Sequence, residues 1–218
     1  MAALSLSNMS KKQQLNWYKA VTHIGALFPL VWLYIDYYTY NLGVEEINAA
    51  ILRTGFPAVI LLVLSLAITP LNILFGWSIL GPLRKPLGLY AFLYAALHLS
   101  IFVVLDYGLE WSAIITEITS RWYATVGFAS LLIMLPLAIT SNKWSMRKLG
   151  KRWKSLHRWV YLSAILALVH YILQARNDYN WPFALVAILT FFLIVRIEPV
   201  KARIIKFRKD RAKRLKAA

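Results

Sequence analysis

A chain of 218 residues that is 60% hydrophobic, with a mean hydropathy of +0.57, is too apolar for a water-soluble domain of its size. Its formal net charge of +16 would suggest nucleic acid in a soluble protein, but here the charge is segregated along the chain in a way that needs no such partner. The absence of cysteine excludes disulfides, thiolate zinc sites, cysteine-ligated iron–sulfur clusters and covalently attached haem. Any metal must then be held by histidine, methionine or oxygen.

Taken in order, the hydrophobicity comes in long blocks separated by short polar loops. The first block follows Lys11 and Lys12, runs too long for a signal-peptide core and lacks a small-residue cleavage site, so it reads as a retained helix. Six spans are predicted: Leu15–Asp36, Arg53–Phe75, Pro86–Leu105, Trp122–Thr140, Leu156–Gln174 and Trp181–Ile197. Most have about the 17–25 residues needed to cross a hydrocarbon core of ~30 Å. Pro29, Pro57 and Pro136 fall within or near the starts of spans, where neighbouring helices can satisfy freed carbonyls. The expected fold is an all-α polytopic integral membrane bundle of six transmembrane helices. It has a short N-terminal segment (1–14), the bundle (15–197) and a basic tail (198–218).

Charge sets the expected orientation. Of the 25 Lys and Arg, all but Arg53, Arg121 and Arg176 fall on one side of these spans. The opposite loops carry Asp36, Glu45, Glu46, Asp106, Glu110, Glu117 and Asp178. The positive-inside rule then puts both termini of a multi-pass membrane protein in the cytoplasm. The tail, KARIIKFRKDRAKRLKAA, reads as a juxtamembrane segment attracted to anionic lipid in preference to an RNA-binding arm. No GxGxxG or GxxxxGK[ST] loop occurs, internal repeats are not evident, and no linker separates two domains. The tryptophans and tyrosines mostly read as interfacial anchors, notably Trp17, Trp77, Trp122, Trp144 and Trp181.

The histidines are the candidate chemistry, because an imidazole in hydrocarbon marks a ligand, a pathway or a polar link between helices. With ~1.5 Å of rise per residue, His98 lies ~18 Å and His170 ~21 Å above the cytoplasmic ends of the third and fifth spans. Two nitrogens at one depth on separate helices suit a bis-histidine haem in the outer half of the membrane; equally, each histidine can hydrogen-bond a neighbouring helix. His157 lies near the cytoplasmic face, about 140° around an ideal helix from His170. It suits an interfacial polar role or an inner site lacking an obvious second ligand. His23 reads as structural. Arg53, Arg121 and Arg176 suit either haem propionates or the lipid interface.

The stretch RKLGKRWKSLHRWVYL (Arg147 to Leu162) followed by HYIL from His170 resembles the MsrQ (YedZ) family. RTG at Arg53–Gly55, ITPL at Ile68–Leu71, LRKPLGL at Leu83–Leu89 and LHL at Leu97–Leu99 agree with it. These are haem-binding membrane subunits of bacterial methionine sulfoxide reductase systems, in the ferric-reductase-like superfamily. The resemblance implies one or two b-type haems, with His98 and His170 as the iron ligands and His157 an alternative or second-site ligand. It implies electron transfer from the quinol pool or a cytoplasmic flavin reductase to a periplasmic molybdopterin-containing methionine sulfoxide reductase, and an association with FMN. In the wider superfamily the third span carries a stacked pair of histidines; here it carries one. Two other functions compete: a ferric reductase or cytochrome b subunit of another respiratory complex, and a non-redox transporter or scaffold. The loop from Asp106 to Arg121, the longest outer loop, is the expected docking surface for a periplasmic partner.

Overall fold

The computed structural model describes residues 9–175 and 179–217. Helix α1, Lys11–Tyr38, opens on a capping box in which the Gln13 N–H donates to Ser10 Oγ at 3.3 Å and the Ser10 N–H donates to Gln13 Oε1 at 2.8 Å. These bonds satisfy two of the donors that every helix start leaves free. Helix α2, Glu46–Phe75, ends at Gly76, whose φ of 78° is the left-handed conformation that glycine adopts without a Cβ clash. A 3₁₀ stretch, Ser78–Leu83, leads into α3, Arg84–Ile101, which ends in a π turn over Phe102–Asp106. The short α4, Trp111–Ser120, precedes α5, Trp122–Ile139. Then follow α6 (Lys143–Leu149), α7 (Lys151–His157), α8 (Val160–Gln174), α9 (Asn180–Arg196) and α10 (Glu198–Ala217).

Every expected span is helical, and among the described residues there is no strand. Among the described residues, five helical stretches are long and apolar enough to cross a membrane. The sixth expected span, α9, has 17 residues and turns by 78° into α10. The tail is therefore a helix set across the end of the bundle. Two expectations are refined. The fifth span is broken between α7 and α8 at Arg158 and Trp159, and the longest outer loop is largely helix α4.

Helix α2 is the axis of the fold: 61% of its apolar window is buried, against 17% or less in the other four spans. It packs on α3, α9 and α1, while α5 pairs with α8. Small side chains sit where helices cross closely, as expected when association relies on packing and not on escape from water. Ala91 is fully buried between α3 and its neighbours. Ser130 and Ser163 join α5 to α8 reciprocally: Ser130 Oγ donates to the Ser163 carbonyl at 2.9 Å, and Ser163 Oγ to the Ser130 carbonyl at 3.2 Å. Tyr94, also fully buried, donates its hydroxyl to the Ala26 carbonyl at 2.7 Å and ties α3 to α1. The outward faces remain apolar and exposed, as at Ile24, Phe28, Leu132 and Phe191, the pattern of surfaces that face lipid.

Proline chemistry explains one long-range tie. Pro70 lies inside α2 and has no N–H, so the carbonyl of Leu66, one turn before it, loses its helical donor. Arg196, at the end of α9, donates Nη2 to that carbonyl at 2.6 Å and Nη1 to the Tyr161 hydroxyl. A second arginine, Arg208 of α10, donates to the carbonyls of Asn72 and Ile73 at 2.7 and 3.0 Å and so satisfies the end of α2. Arg196→Met is expected to leave the Leu66 carbonyl unpaired and to cost roughly 1–3 kcal/mol. A lowered thermal midpoint in detergent checks this; an unchanged one would show that another donor takes over.

Candidate functional site

The site is built from two helix pairs. In the first, His98 of α3 lies against α2, and its Nδ1–H donates to the Ile51 carbonyl at 2.9 Å. In the second, His170 of α8 lies against α5, and its Nδ1–H donates to the Tyr123 carbonyl at 2.7 Å. A carbonyl only accepts, so each bond places the proton on Nδ1 and leaves Nε2 as the free lone pair of a neutral imidazole. A hydrogen bond of this kind fixes the tautomer and orientation of a metal-ligating histidine and raises its basicity.

The two rings lie in a T-shaped arrangement with centroids 6.0 Å apart and planes at 83°. One metal ion between two imidazoles, with metal–nitrogen bonds of about 2 Å and the reach of each ring added, requires a centroid separation of roughly 6 Å. Among the described residues no group of three or more His, Cys, Asp or Glu could hold an ion. The pair therefore suits a metal whose other ligands come from its own macrocycle, as in haem. There is room for such a plate. A cavity of about 310 Å³ lies between α2, α3, α5 and α8, and another of about 980 Å³ lies along α1, α2 and α8. Gly55, His98 and His170 line both.

The other expected residues fall elsewhere. His157 ends α7, stacks on Trp153 with centroids 3.9 Å apart, and meets Thr140 Oγ1 through Nε2 at 3.1 Å. Trp153 Nε1–H donates to the Thr140 carbonyl at 3.0 Å, so the three residues form one cluster at the basic end of the bundle. The break between α7 and α8 overrides the ideal helical angle, and both His157 and His170 contact α5 or its C-cap. His23 meets the Tyr90 hydroxyl at 2.9 Å, a link between α1 and α3. His23→Ala is expected to leave the His98–His170 pair intact, checked by cofactor content per chain.

Two of the three arginines suggested for propionates are engaged otherwise: Arg53 pairs with Asp36, and Arg121 lies 3.5 Å from Glu117. The third, Arg176, and Asp178 lie outside the described residues. Residue-type reasoning missed the backbone acceptors and the glycines. An alanine-sized Cβ at Gly55 would lie 2.9 Å from His98 Nδ1, and one at Gly127 would lie 2.6 Å from His170 Nδ1. The available signal was a glycine inside each apolar helix that pairs with a histidine helix.

This architecture is that of a ferric-reductase-like transmembrane protein: the family described as the ferric reductase like transmembrane component matches residues 54–168. The match spans His98, His157 and both site glycines and ends just before His170. At closer range, the protein-methionine-sulfoxide reductase heme-binding subunit MsrQ of Rhodospirillum rubrum is 40% identical over 181 residues, covering 83% of this chain and 87% of that relative. The proteins of the same name from Brucella ovis and Brucella suis are 38% identical, covering 83% of this chain and 82% of each relative. The chain belongs to the MsrQ family. No solved structure matches it.

Proposed function

We propose that this chain is the b-type haem subunit of a protein-methionine-sulfoxide reductase, carrying electrons through the inner membrane to a periplasmic catalytic partner. The observation that supports it most is the adjacent pair of imidazoles, 6.0 Å apart, each held by Nδ1 on a backbone carbonyl with Nε2 left to ligate. The names of the relatives add the haem and the reductase. In this reading His98 and His170 would hold the haem iron through Nε2, and the haem, when bound, would supply one-electron exchange between ferric and ferrous iron.

The chain's own residues set the conditions. The carbonyls of Ile51 and Tyr123 hold the two rings in place without adding charge, and Ala95, Leu99 and Ala167 give the cavity beside them an apolar wall. Reduction of a sulfoxide to a sulfide and water takes two electrons and two protons, so the catalytic partner must collect two one-electron deliveries. The charge segregation supports cytoplasmic termini, with the pair nearer the periplasmic, acidic end. α10 then lies along the anionic cytoplasmic leaflet as a basic tail unit distinct from the bundle, its exposed Lys and Arg turned to lipid. α4 and the turns beside it, at the periplasmic end, form the docking surface.

The donor in this reading is quinol or a cytoplasmic flavin reductase working through FMN. Reduction of the haem by a soluble quinol analogue, compared with reduction by enzymatically reduced FMN, separates the two. His157 takes the alternative or second-site role: a stoichiometry near two haems per chain, falling to one in His157→Ala, would assign it. The decisive test is the optical spectrum of the purified protein, oxidised and dithionite-reduced. A sharp reduced α band is expected. Its absence after haem-replete expression would overturn the reading in favour of a non-redox scaffold. Haem with fast ferric-chelate reduction and no transfer to a sulfoxide reductase would favour a ferric reductase.

A further inference from the structure

We propose that Gly55 and Gly127 are positioning residues for the two ligand histidines, one in each of two equivalent helix pairs. The inference rests on the haem reading for its functional meaning, but its geometry stands independently. The hydrogen bonds from His98 to Ile51 and from His170 to Tyr123 both span 47 residues of chain. In each pair the accepting carbonyl lies one helical turn before the glycine, at Ile51 and Gly55 in α2 and at Tyr123 and Gly127 in α5. The register that carries Gly55 onto Gly127 also carries Ala58 onto Ser130 and Ala91 onto Ser163, all buried where the helices cross. An internal repeat that is not evident in the sequence thus emerges as two pairs, α2 with α3 and α5 with α8, each built around one imidazole.

Neither glycine is needed for backbone freedom, because both sit inside α-helices, where glycine is a poor choice. What they provide is space. At Gly127 a Cβ would lie 2.6 Å from His170 Nδ1, 2.9 Å from Cε1 and 3.0 Å from Cγ, so the whole ring rests on the bare helix. At Gly55 the approach to His98 is 2.9 Å to Nδ1 and 3.1 Å to Cε1. By contrast, Gly25 and Gly81 face nothing within 4 Å, and Gly88 meets only Ser65 Oγ, at 3.8 Å. The acceptors are backbone carbonyls, which no side-chain replacement removes. The glycines are therefore the positions through which the sequence controls the two Nδ1 bonds, and with them the aim of Nε2. A methyl group would lift the ring, break the bond and turn the free nitrogen away.

The test compares the wild-type protein with Gly127→Ala, Gly55→Ala and Gly81→Ala, and adds Gly127→Ala in a His170→Ala background. Haem per chain, the reduced α band, the midpoint potential and the thermal midpoint of the haem-free protein are read for each. Gly127→Ala is expected to weaken haem retention by roughly 10–100-fold, the range seen when an outer-shell partner of a ligand is lost. Gly55→Ala should do the same to a smaller degree, and Gly81→Ala, which faces open space away from both cavities, should not. In the haem-free protein Gly127→Ala should lower the thermal midpoint, whereas in the His170→Ala background the same change should be neutral or stabilising, because the ring it meets is gone. That cycle decides the matter even if Gly127→Ala alone fails to fold, since the double variant should recover. It also separates the two readings: a positive cycle in a wild type that binds no haem would keep the positioning role and remove the haem. Unchanged haem content, spectrum and potential in Gly127→Ala, or an equal destabilisation with and without His170, would overturn the proposal.

Discussion

Replacing His98 or His170 with Ala is expected to remove most of the bound haem and to abolish the low-spin reduced spectrum. Each histidine would supply one nitrogen to the haem iron, so either substitution would leave a single imidazole of the pair. Among the described residues no third histidine or acidic group completes the set, and His157 is engaged with Trp153 and Thr140 at the other end of the bundle. Haem quantified per chain, with spectra before and after dithionite, checks this. Single-ligand variants that keep some haem should show it five-coordinate and high-spin. Full retention of low-spin haem in both variants would sink the assignment. The two losses should be similar, because the two imidazoles have equivalent surroundings: one backbone acceptor, one glycine and one cavity wall each.

The second large effect concerns the ion pair between Asp36 and Arg53. Asp36 ends the apolar part of α1 and is buried, whereas the Arg53 side chain is 35% exposed. Arg53→Leu is expected to strand the Asp36 carboxylate and to destabilise the protein by about 1–3 kcal/mol, less than for a fully buried pair because water reaches the guanidinium. Asp36→Asn/Arg53→Leu should recover most of that loss, since no charge is then left unpaired. The comparison of thermal midpoints in detergent checks both. The pair also bears on the site. Arg53 lies two residues from Gly55, so loosening the contact between α1 and α2 should shift the haem potential while leaving the haem bound. An unchanged midpoint in Arg53→Leu would show that the Asp36 carboxylate has another partner.

Much of this protein was legible before its fold was known. Long apolar blocks force helices, because a backbone in lipid must satisfy its own hydrogen bonds. Each expected span accordingly falls on a helix found, from α1 to α9, although α2 starts at Glu46, well before the expected Arg53. Helical rise along the third and fifth spans put His98 and His170 at one depth, and the fold brings their rings within 6.0 Å. Residue type was a poorer guide to partners. Arg53 and Arg121 looked free to meet an anionic ligand, yet each has a carboxylate that only the packing of α1 on α2, or the turn from α4 into α5, brings close. The break between α7 and α8 was equally hidden, since no proline or glycine marks it. It changes which way His157 faces.

Composition, hydrophobic period and charge asymmetry by themselves determined that this chain is a helical membrane protein with two histidines at a shared level, because those properties depend on local pattern and the thickness of a bilayer. Tertiary structure alone decided how the two histidines are held. The carbonyls of Ile51 and Tyr123 are ordinary backbone atoms, and Gly55 and Gly127 are ordinary helical glycines, until two helices pack closely enough for an imidazole to rest on one and bond to it. That contact joins residues 47 positions apart. No local pattern carries it, because it depends on which helix faces which.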